Sequence, residues 1–123
     1  MRILQSSEDY LETILKIQKE KGFVRSIDIA HELNFSKASV SIAMKKLREN
    51  NYIIVENNGY ITLTDEGFQI AKKVHEKHDI LTNALIALGV SKEQAEIDAC
   101  KIEHNISEET FESIKNHMKK RGN

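Results

Sequence analysis

The sequence predicts a mainly α fold with a small β-hairpin wing, namely a winged helix-turn-helix domain followed by a helical domain. Three observations predict this architecture. The chain has 123 residues, no proline and only five glycines, so helices joined by short turns are expected. Two short helical segments with capping residues precede two β-rich runs. A long segment with apolar residues spaced three and four apart then follows.

The composition is that of an ordinary globular protein. Hydrophobic residues make up 40% and charged residues 30%, and the net charge of −1 gives no overall basic field. The single cysteine, Cys100, excludes an internal disulfide and suits a reducing compartment, for which we expect the cytoplasm. No apolar run approaches the ~20 residues of a membrane span, and residues 1–7 lack the apolar core of a signal peptide. We therefore expect no membrane partner.

The first helix is predicted from Ser6 or Ser7 to about Lys21, and Gly22 ends it. Asp9 and Glu12 are three residues apart and lie on one face of this helix. Taken alone, the two acids are explained by the helix dipole and by solubility.

Two capped helices then form a helix-turn-helix pattern. Ser26 is predicted to cap a helix from Ile27 to Leu33, and Ser36 to cap the next helix, Lys37 to Asn50. A plain αα-hairpin has a similar pattern, so these helices alone leave DNA binding open.

A predicted hairpin favours the DNA-binding interpretation. The β-rich runs Tyr52–Glu56 and Tyr60–Leu63 flank an Asn-Gly pair, which is a strong signal for a tight turn. A hairpin directly after a helix-turn-helix is typical of a winged helix. The third helix is also locally basic, which favours DNA contact over an ordinary solvated face. The predicted DNA-facing residues are Ser36, Lys37, Ser39, Ser41, Lys45, Lys46, Asn57 and Asn58.

A long fourth helix is predicted from Thr64 to about Leu88, closed by Gly89. Its apolar residues form a seam of the coiled-coil type. His78 lies on this seam, where a hydrogen-bonded core histidine and a functional histidine are both possible interpretations.

The fifth helix, capped by Ser91, carries a metal-binding pattern. Cys100, Glu103 and His104 are spaced i, i+3 and i+4, which places their side chains on one helical face. A thiol, a carboxylate and an imidazole together suit a transition metal, and Glu96 lies one turn earlier. The alternative is a half-buried cysteine beside two polar surface residues. Asn105-Ile106 is predicted to end the helix.

Ser107 begins a sixth helix, and the last two helices are too short to bury a core by themselves. We therefore expect them to pack on the long helix and on a second copy of it, which predicts a homodimer. The predicted domains are a winged-helix DNA-binding domain over residues 1–72 and a helical metal-binding and dimerisation domain over residues 73–123.

These motifs together resemble the short, two-domain branch of the diphtheria-toxin-repressor family, which includes the manganese transport regulators. The resemblance extends from about Ser6 to Ser113. The family consists of metal-dependent transcription repressors, and we expect its third, SH3-like domain to be absent. The segments that carry the resemblance are Ser7–Glu12, Ser26–Ala30, Lys46-Leu47, Leu63–Gly67, His78 and Cys100–His104.

The resemblance implies a set of metal ligands. Cys100 stands where the manganese type has Glu and the iron type has Cys, whereas Asp9 stands where the iron type has Met. Glu96 falls where the iron type has a second-site His, and Thr82 replaces a second-site Glu. The expected cofactor is Mn²⁺ or Fe²⁺, with Co²⁺, Ni²⁺ or Zn²⁺ able to bind in vitro, and no organic cofactor is expected. The implied ligands are Asp9, Glu12, His78, Cys100, Glu103 and His104, with Glu96 as a further candidate.

The sequence thus predicts a metal-dependent transcriptional regulator, expected to act as a repressor of metal homeostasis genes. We expect it to bind double-stranded operator DNA as a homodimer when loaded with Mn²⁺ or Fe²⁺. A metal joining the acids of the first helix to the Cys-Glu-His cluster would be the switch. One alternative is a winged-helix regulator without metal control. A metalloenzyme is not expected, because the chain has no glycine-rich loop and no recognisable nucleophile motif.

Overall fold

A computed structural model describes the backbone of residues 5–122 and the side chains of residues 6–120. It confirms the predicted class, with a winged helix-turn-helix followed by a helical region. The expectation about a signal peptide falls partly on residues 1–4, outside the described range. The elements, in chain order, are α1 Gln5–Lys21, α2 Ser26–Leu33, α3 Lys37–Glu49, β1 Ile53–Val55, β2 Ile61–Leu63, α4 Asp65–Ala87, α5 Lys92–Ile102 and α6 Glu108–Gly122.

The chain divides into two compact units, and the division falls inside α4, between Lys72 and Lys73. In the first unit, α1, α2, α3 and the hairpin enclose an apolar core. Burial recurs every three or four residues along each helix, so each helix turns one stripe toward this core. Its most fully buried side chains are Leu11, Ile14, Val24, Ile29, Val40 and Ile53.

Helix α2 begins one residue earlier than predicted. The N-cap is Arg25, with extended backbone angles (φ −127°, ψ 162°), and Ser26 is already helical. The prediction that Ser26 is the cap was therefore wrong. The reason is that the Asp28 carboxylate reaches back and accepts a hydrogen bond from the Arg25 backbone N–H at 2.9 Å. The helix ends at Leu33, and the C-cap residue Asn34 adopts left-handed angles (φ 57°) that asparagine tolerates well.

Helix α3 begins as predicted, because Ser36 Oγ accepts a hydrogen bond from the Ser39 backbone N–H at 3.1 Å. Its inward side chains are Val40, Met44 and Leu47, all buried. The helix ends at Glu49, one residue before the predicted end.

The wing is a two-stranded antiparallel hairpin in which Ile53 pairs with Leu63 and Val55 with Ile61. Its turn contains Gly59 at φ 88°, a conformation that glycine adopts without strain. β1 is one residue shorter than its predicted run at each end, and β2 is one residue shorter at its start only. The Tyr52 N–H bonds back to the Leu47 carbonyl, and Glu56 and Tyr60 close the turn.

The start of α4 is anchored to the hairpin. Thr64 Oγ1 accepts a hydrogen bond from the Gly67 N–H, as the predicted cap requires, and donates one to the Asn51 carbonyl at 2.8 Å. Gly67 lies so close to Tyr52 that a β-carbon at position 67 would overlap the Tyr52 carbonyl oxygen. A glycine is therefore required for the approach of α4 to the chain before β1.

The second unit contains the rest of α4 together with α5 and α6. Phe111 of α6 is almost fully buried, and Lys77 of α4 lies over its ring at 5.6 Å from the centroid. Lys73 and Lys77 both lie 3.2 Å from Glu108 Oε1, which joins the start of α6 to α4. Leu88, at the end of the predicted seam, is 81% exposed. No helix among the described residues is long and apolar enough to cross a membrane.

Candidate metal centre

Three of the predicted ligands come together in the second unit. His78 lies on α4, Cys100 in the last turn of α5, and Glu103 directly after that helix. Each offers one ligand atom, and these atoms all lie within 4.8 Å of one another. The donors are an imidazole nitrogen, a sulfur and a carboxylate oxygen, which is a set that divalent transition metals accept.

Helix α5 ends earlier than predicted, so Glu103 and His104 do not lie on the helix itself. Its last residue is Ile102, and Glu103 is the C-cap. The side chain of Asn105 turns back and donates a hydrogen bond to the Lys101 carbonyl at 2.9 Å, which satisfies a carbonyl that a longer helix would use. Glu103 keeps right-handed helical angles (φ −58°, ψ −26°). The side chains of Cys100 and Glu103 therefore still lie on one side of the chain, as the i, i+3 spacing predicted, although the helix ends at Ile102.

Glu103 is the buried member of the cluster, with 3% of the residue exposed. Its Oε2 lies 3.0 Å from His78 Nδ1, and its Oε1 lies 3.3 Å from His104 Nε2. The contact with His104 does not have the geometry of a hydrogen bond, so Oε1 has no hydrogen-bond partner among the described residues. A buried carboxylate requires a compensating positive charge, which either a protonated imidazole or a metal ion supplies.

The ligand atoms around Glu103 are suited to binding a metal ion. Glu103 Oε1 is a buried oxygen with unused acceptor capacity, and a soft sulfur and two imidazoles are its neighbours in the sequence or in space. Carboxylate, imidazole and thiolate all bind Fe²⁺, Co²⁺ and Zn²⁺, and the carboxylate and imidazole also suit Mn²⁺. Cys100 itself is exposed, so the cluster has one solvent-facing side.

Glu96, Asp9 and Glu12 are the remaining predicted ligands. Glu96 is exposed on α5 and is not among the residues that the structure brings together with His78. Asp9 and Glu12 belong to the first unit, where both are half-buried on α1. The Asp9 carbonyl accepts a hydrogen bond from Thr13 Oγ1 at 2.8 Å. Ligation by Asp9, Glu12 and Glu96 stays a prediction from the sequence.

All of the predicted DNA-facing residues are exposed and belong to the first unit. Those of the third helix lie at its N-terminal cap and along α3, and Asn57 and Asn58 lie in the hairpin turn. Ser36 Oγ donates a hydrogen bond to Ser39 Oγ at 2.9 Å. The sequence interpretation missed Ile42, which is 60% exposed on α3. The signal was present, because Ile42 lies two residues after the inward-facing Val40 and so on the opposite side of the helix.

The chain matches two family models. Residues 2–60 match the model described as iron dependent repressor, N-terminal DNA binding domain. Residues 64–122 match the model described as iron dependent repressor, metal binding and dimerisation domain.

Relatives and solved structures have names of the same kind. An uncharacterized HTH-type transcriptional regulator of Methanocaldococcus jannaschii is 37% identical over 118 residues, covering 94% of each chain. The transcriptional regulator MntR of Escherichia coli O6:H1 is 36% identical over 115 residues, covering 94% of this chain and 74% of that protein. The crystal structure of IdeR from T. acidophilum superposes with a TM-score of 0.80 at 25% identity, covering 96% of this chain and 55% of that one. The chain thus spans about half the length of that solved structure.

Proposed function

Because this chain belongs to the iron-dependent repressor family, in its manganese-regulator branch, we propose that His78, Cys100, Glu103 and His104 hold a divalent metal ion that operator binding requires. This is the diphtheria-toxin-repressor family that the sequence motifs resemble. The chain is a metal-dependent transcriptional regulator and not an enzyme.

The observation that carries the proposal is the position of Glu103. Its buried carboxylate has an imidazole nitrogen near each oxygen, and an exposed thiol is within reach of the same point. A bound divalent ion supplies the positive charge that such a carboxylate and a thiolate need. The protein residues bind in their deprotonated forms, so binding releases protons and weakens in acid.

The donor types restrict which metal binds. Oxygen and nitrogen ligands suit Mn²⁺, whereas the Cys100 thiolate shifts the preference toward Fe²⁺, Co²⁺ and Zn²⁺. We propose Mn²⁺ or Fe²⁺ as the physiological ion and expect Co²⁺, Ni²⁺ or Zn²⁺ to bind in vitro.

We propose Asp9, Glu12 and Glu96 as further ligands on the basis of the resemblance. Carboxylates bridge metal ions readily, so these acids allow for a second ion per chain. Isothermal titration of Mn²⁺ into the wild type and into Asp9→Asn, Glu12→Gln and Glu96→Gln counts the ions that each acid helps to bind. An unchanged number and affinity for a variant would remove that residue from the ligand set.

We propose that the two compact units have different roles. We propose that residues 1–72 bind double-stranded operator DNA through α3 and the wing, and that residues 73–123 bind metal and form the homodimer. An apolar groove of about 450 Å³ in the second unit supports the second part. Leu88, which is 81% exposed, is one of its lining residues, and we propose that the groove is covered by a second copy. Its lining includes Leu81, Leu85, Leu88, Ile102, Ile114 and Met118.

We propose the cytoplasm as the location, since genomic DNA is there in the prokaryotes from which the named relatives come.

The decisive experiment measures operator affinity as a function of metal. Operators are selected from random duplexes with Mn²⁺, with anaerobic Fe²⁺, with Zn²⁺ and with a chelator. The selected duplex is then titrated with the wild type and with Glu103→Gln, which keeps the size of the side chain but removes its charge. Glu93→Gln is the matched control, because Glu93 is an exposed acid in the first turn of α5, the helix that Glu103 follows.

We expect metal to tighten operator binding by the wild type and by Glu93→Gln, and to have no effect on Glu103→Gln. A coupling free energy of about 2–3 kcal/mol corresponds to one to two orders of magnitude in affinity. Equal affinity of the wild type in chelator and in saturating metal would defeat the proposal and favour a winged-helix regulator without metal control.

A further inference from the structure

The outward face of α3 has an apolar centre. Val40, Met44 and Leu47 face the core, and Ile42, two residues after Val40, lies about 200° away around the helix. Ile42 is 60% exposed. Ala38, one turn earlier on the same outward line, is also exposed. The middle of this face therefore presents methyl groups and no hydrogen-bonding atom.

Polar residues border this apolar line on both sides. By helical rotation Ser41 and Lys45 lie on one flank, and Ser39 and Lys46 on the other. All four are exposed. Lysines at the flanks suit the two phosphate backbones that border a DNA groove, so the line through Ile42 is the part of α3 that would face the groove floor.

The exposure of Ile42 does not by itself indicate a contact with DNA. Single exposed apolar residues are common on protein surfaces, and Ile54 and Ile97 are also more than half exposed. What distinguishes Ile42 is its position at the centre of a face with basic flanks, directly opposite the buried stripe of the helix.

The floor of the major groove offers one apolar group, the C5-methyl of thymine. Every other base edge there presents a hydrogen-bond donor or acceptor, which an isoleucine would remove from water without replacing the lost bond. An Ile42 side chain pressed into the groove is therefore tolerated over an A·T pair and penalised over G·C.

We propose that Ile42 reads the operator by packing against a thymine methyl in each half-site, so that it is a specificity-determining residue. This inference rests on the proposed binding of DNA through α3. It assigns to Ile42 the selection of an A·T pair, while the serines and lysines around it contact other base edges and phosphates.

The test uses thymine-to-uracil substitution, which removes the methyl group and leaves every hydrogen-bonding atom in place. On an operator selected with metal-loaded full-length protein, each thymine of one half-site is replaced in turn by uracil. For the wild type we expect one position at which affinity falls about fourfold, the effect of about one buried methyl group. Ile42→Ala should bind the thymine and uracil duplexes equally, and Ile42→Val should be intermediate.

Ile97→Ala is the matched control, since it removes an isoleucine of similar exposure (52% against 60%) from α5 of the second unit. It should keep the wild-type ratio between thymine and uracil duplexes. Circular dichroism verifies that Ile42→Ala remains folded, and should that variant melt early, the comparison is made with Ile42→Val.

The possible results separate the two hypotheses. If no duplex is selected with or without metal, the proposed function fails. If the wild type binds its operator but no thymine position responds to uracil, or if Ile42→Ala keeps the response, only the inference about Ile42 is overturned. A response that is lost in Ile42→Ala and kept in Ile97→Ala supports it.

Discussion

His78 Nδ1 lies 3.0 Å from Glu103 Oε2, so a side chain of α4 contacts a carboxylate that follows α5 and is 25 residues later in the chain. The contact brings a nitrogen donor and an oxygen donor to one point. It also fixes the orientation of the imidazole, because one ring nitrogen is directed at the carboxylate.

We expect His78→Gln to weaken metal binding by at least about tenfold. Even the loss of a residue that only hydrogen-bonds to a metal ligand weakens binding by about that factor. The control is His75→Gln, one turn earlier on the same helix, whose Nε2 lies 3.3 Å from the exposed Asp79 carboxylate. Competition with a fluorescent metal indicator measures both affinities. Equal losses in the two variants would show that the effect is not specific to the cluster.

Cys100→Glu is expected to shift selectivity toward Mn²⁺, because it exchanges a soft sulfur donor for a hard oxygen donor. The ratio of Co²⁺ to Mn²⁺ affinity should fall, and the thiolate-to-Co²⁺ absorption of the wild type should disappear. Cys100→Ser is the comparison, since it removes the sulfur without adding a charge. An unchanged metal ratio in both variants would mean that Cys100 is not a ligand.

Asp28 links the stability of the first unit to pH. Its pKa is held below the ordinary value of 3.8, chiefly by the hydrogen bond from Lys21 Nζ at 2.9 Å, with a further contribution from the Arg25 N–H. The stabilisation is thus complete above pH ~4 and is lost as the pH falls through the lowered pKa of the folded state.

We expect Asp28→Asn to destabilise the protein by about 1 kcal/mol at neutral pH, the usual effect of losing a helix cap. The difference from the wild type should shrink as the pH falls below ~4, which urea unfolding at several pH values measures. Glu20→Gln, an exposed acid at the end of α1, should show no comparable difference. A difference that is independent of pH would contradict the role assigned to the Asp28 charge.

Gly67→Ala is expected to destabilise the protein by about 3 kcal/mol, the upper range for forcing extra volume into a packed site. The added β-carbon would overlap the Tyr52 carbonyl oxygen, and backbone atoms do not yield as a flexible side chain does. Gly22→Ala is the comparison, because its surroundings are open and only its positive φ of 88° opposes a side chain. Urea midpoints should show a larger loss for Gly67→Ala.

Leu88→Glu is expected to weaken the homodimer. Leu88 is 81% exposed beside the apolar groove of the second unit, and each buried leucine contributes about 1.5–3 kcal/mol. Two copies per dimer then correspond to at least a hundredfold in the dimerisation constant, at about 1.4 kcal/mol per tenfold. Light scattering at micromolar concentration should give a monomer for Leu88→Glu and a dimer for Ile97→Glu. A wild type that is monomeric at every metal concentration would refute the dimer.

Local chemistry explains which parts of the fold the sequence could predict. Ser36, Thr64 and Ser91 cap their helices as predicted, because a cap depends on residues within three positions. The predicted start of α2 and the predicted end of α5 were wrong, because in each case another side chain hydrogen-bonds to the backbone groups near that end. Asp28 takes the cap of α2 one residue earlier, and Asn105 ends α5 at Ile102.

In the candidate site, too, some features follow from local spacing and others depend on how the helices pack. The proximity of Cys100 and Glu103 follows from i, i+3 spacing and was predictable from the residues alone. The contact of His78 with Glu103 depends on how α4 and α5 pack, and only the resemblance to a family predicted it. The exposure of Ile42 follows from helical periodicity, because Ile42 lies on the side of α3 opposite the buried Val40.

Cys100 is exposed whereas the Glu103 side chain is fully buried. An ion held by both residues would therefore be open to solvent on the side of the cysteine. A competing thiol or chelator can approach from the sulfur side and replace one bond at a time, while the carboxylate stays in place. Exchange by stepwise substitution needs no unfolding of the surrounding helices. If these residues hold an ion, we therefore expect it to exchange with the surrounding solution while the protein stays folded.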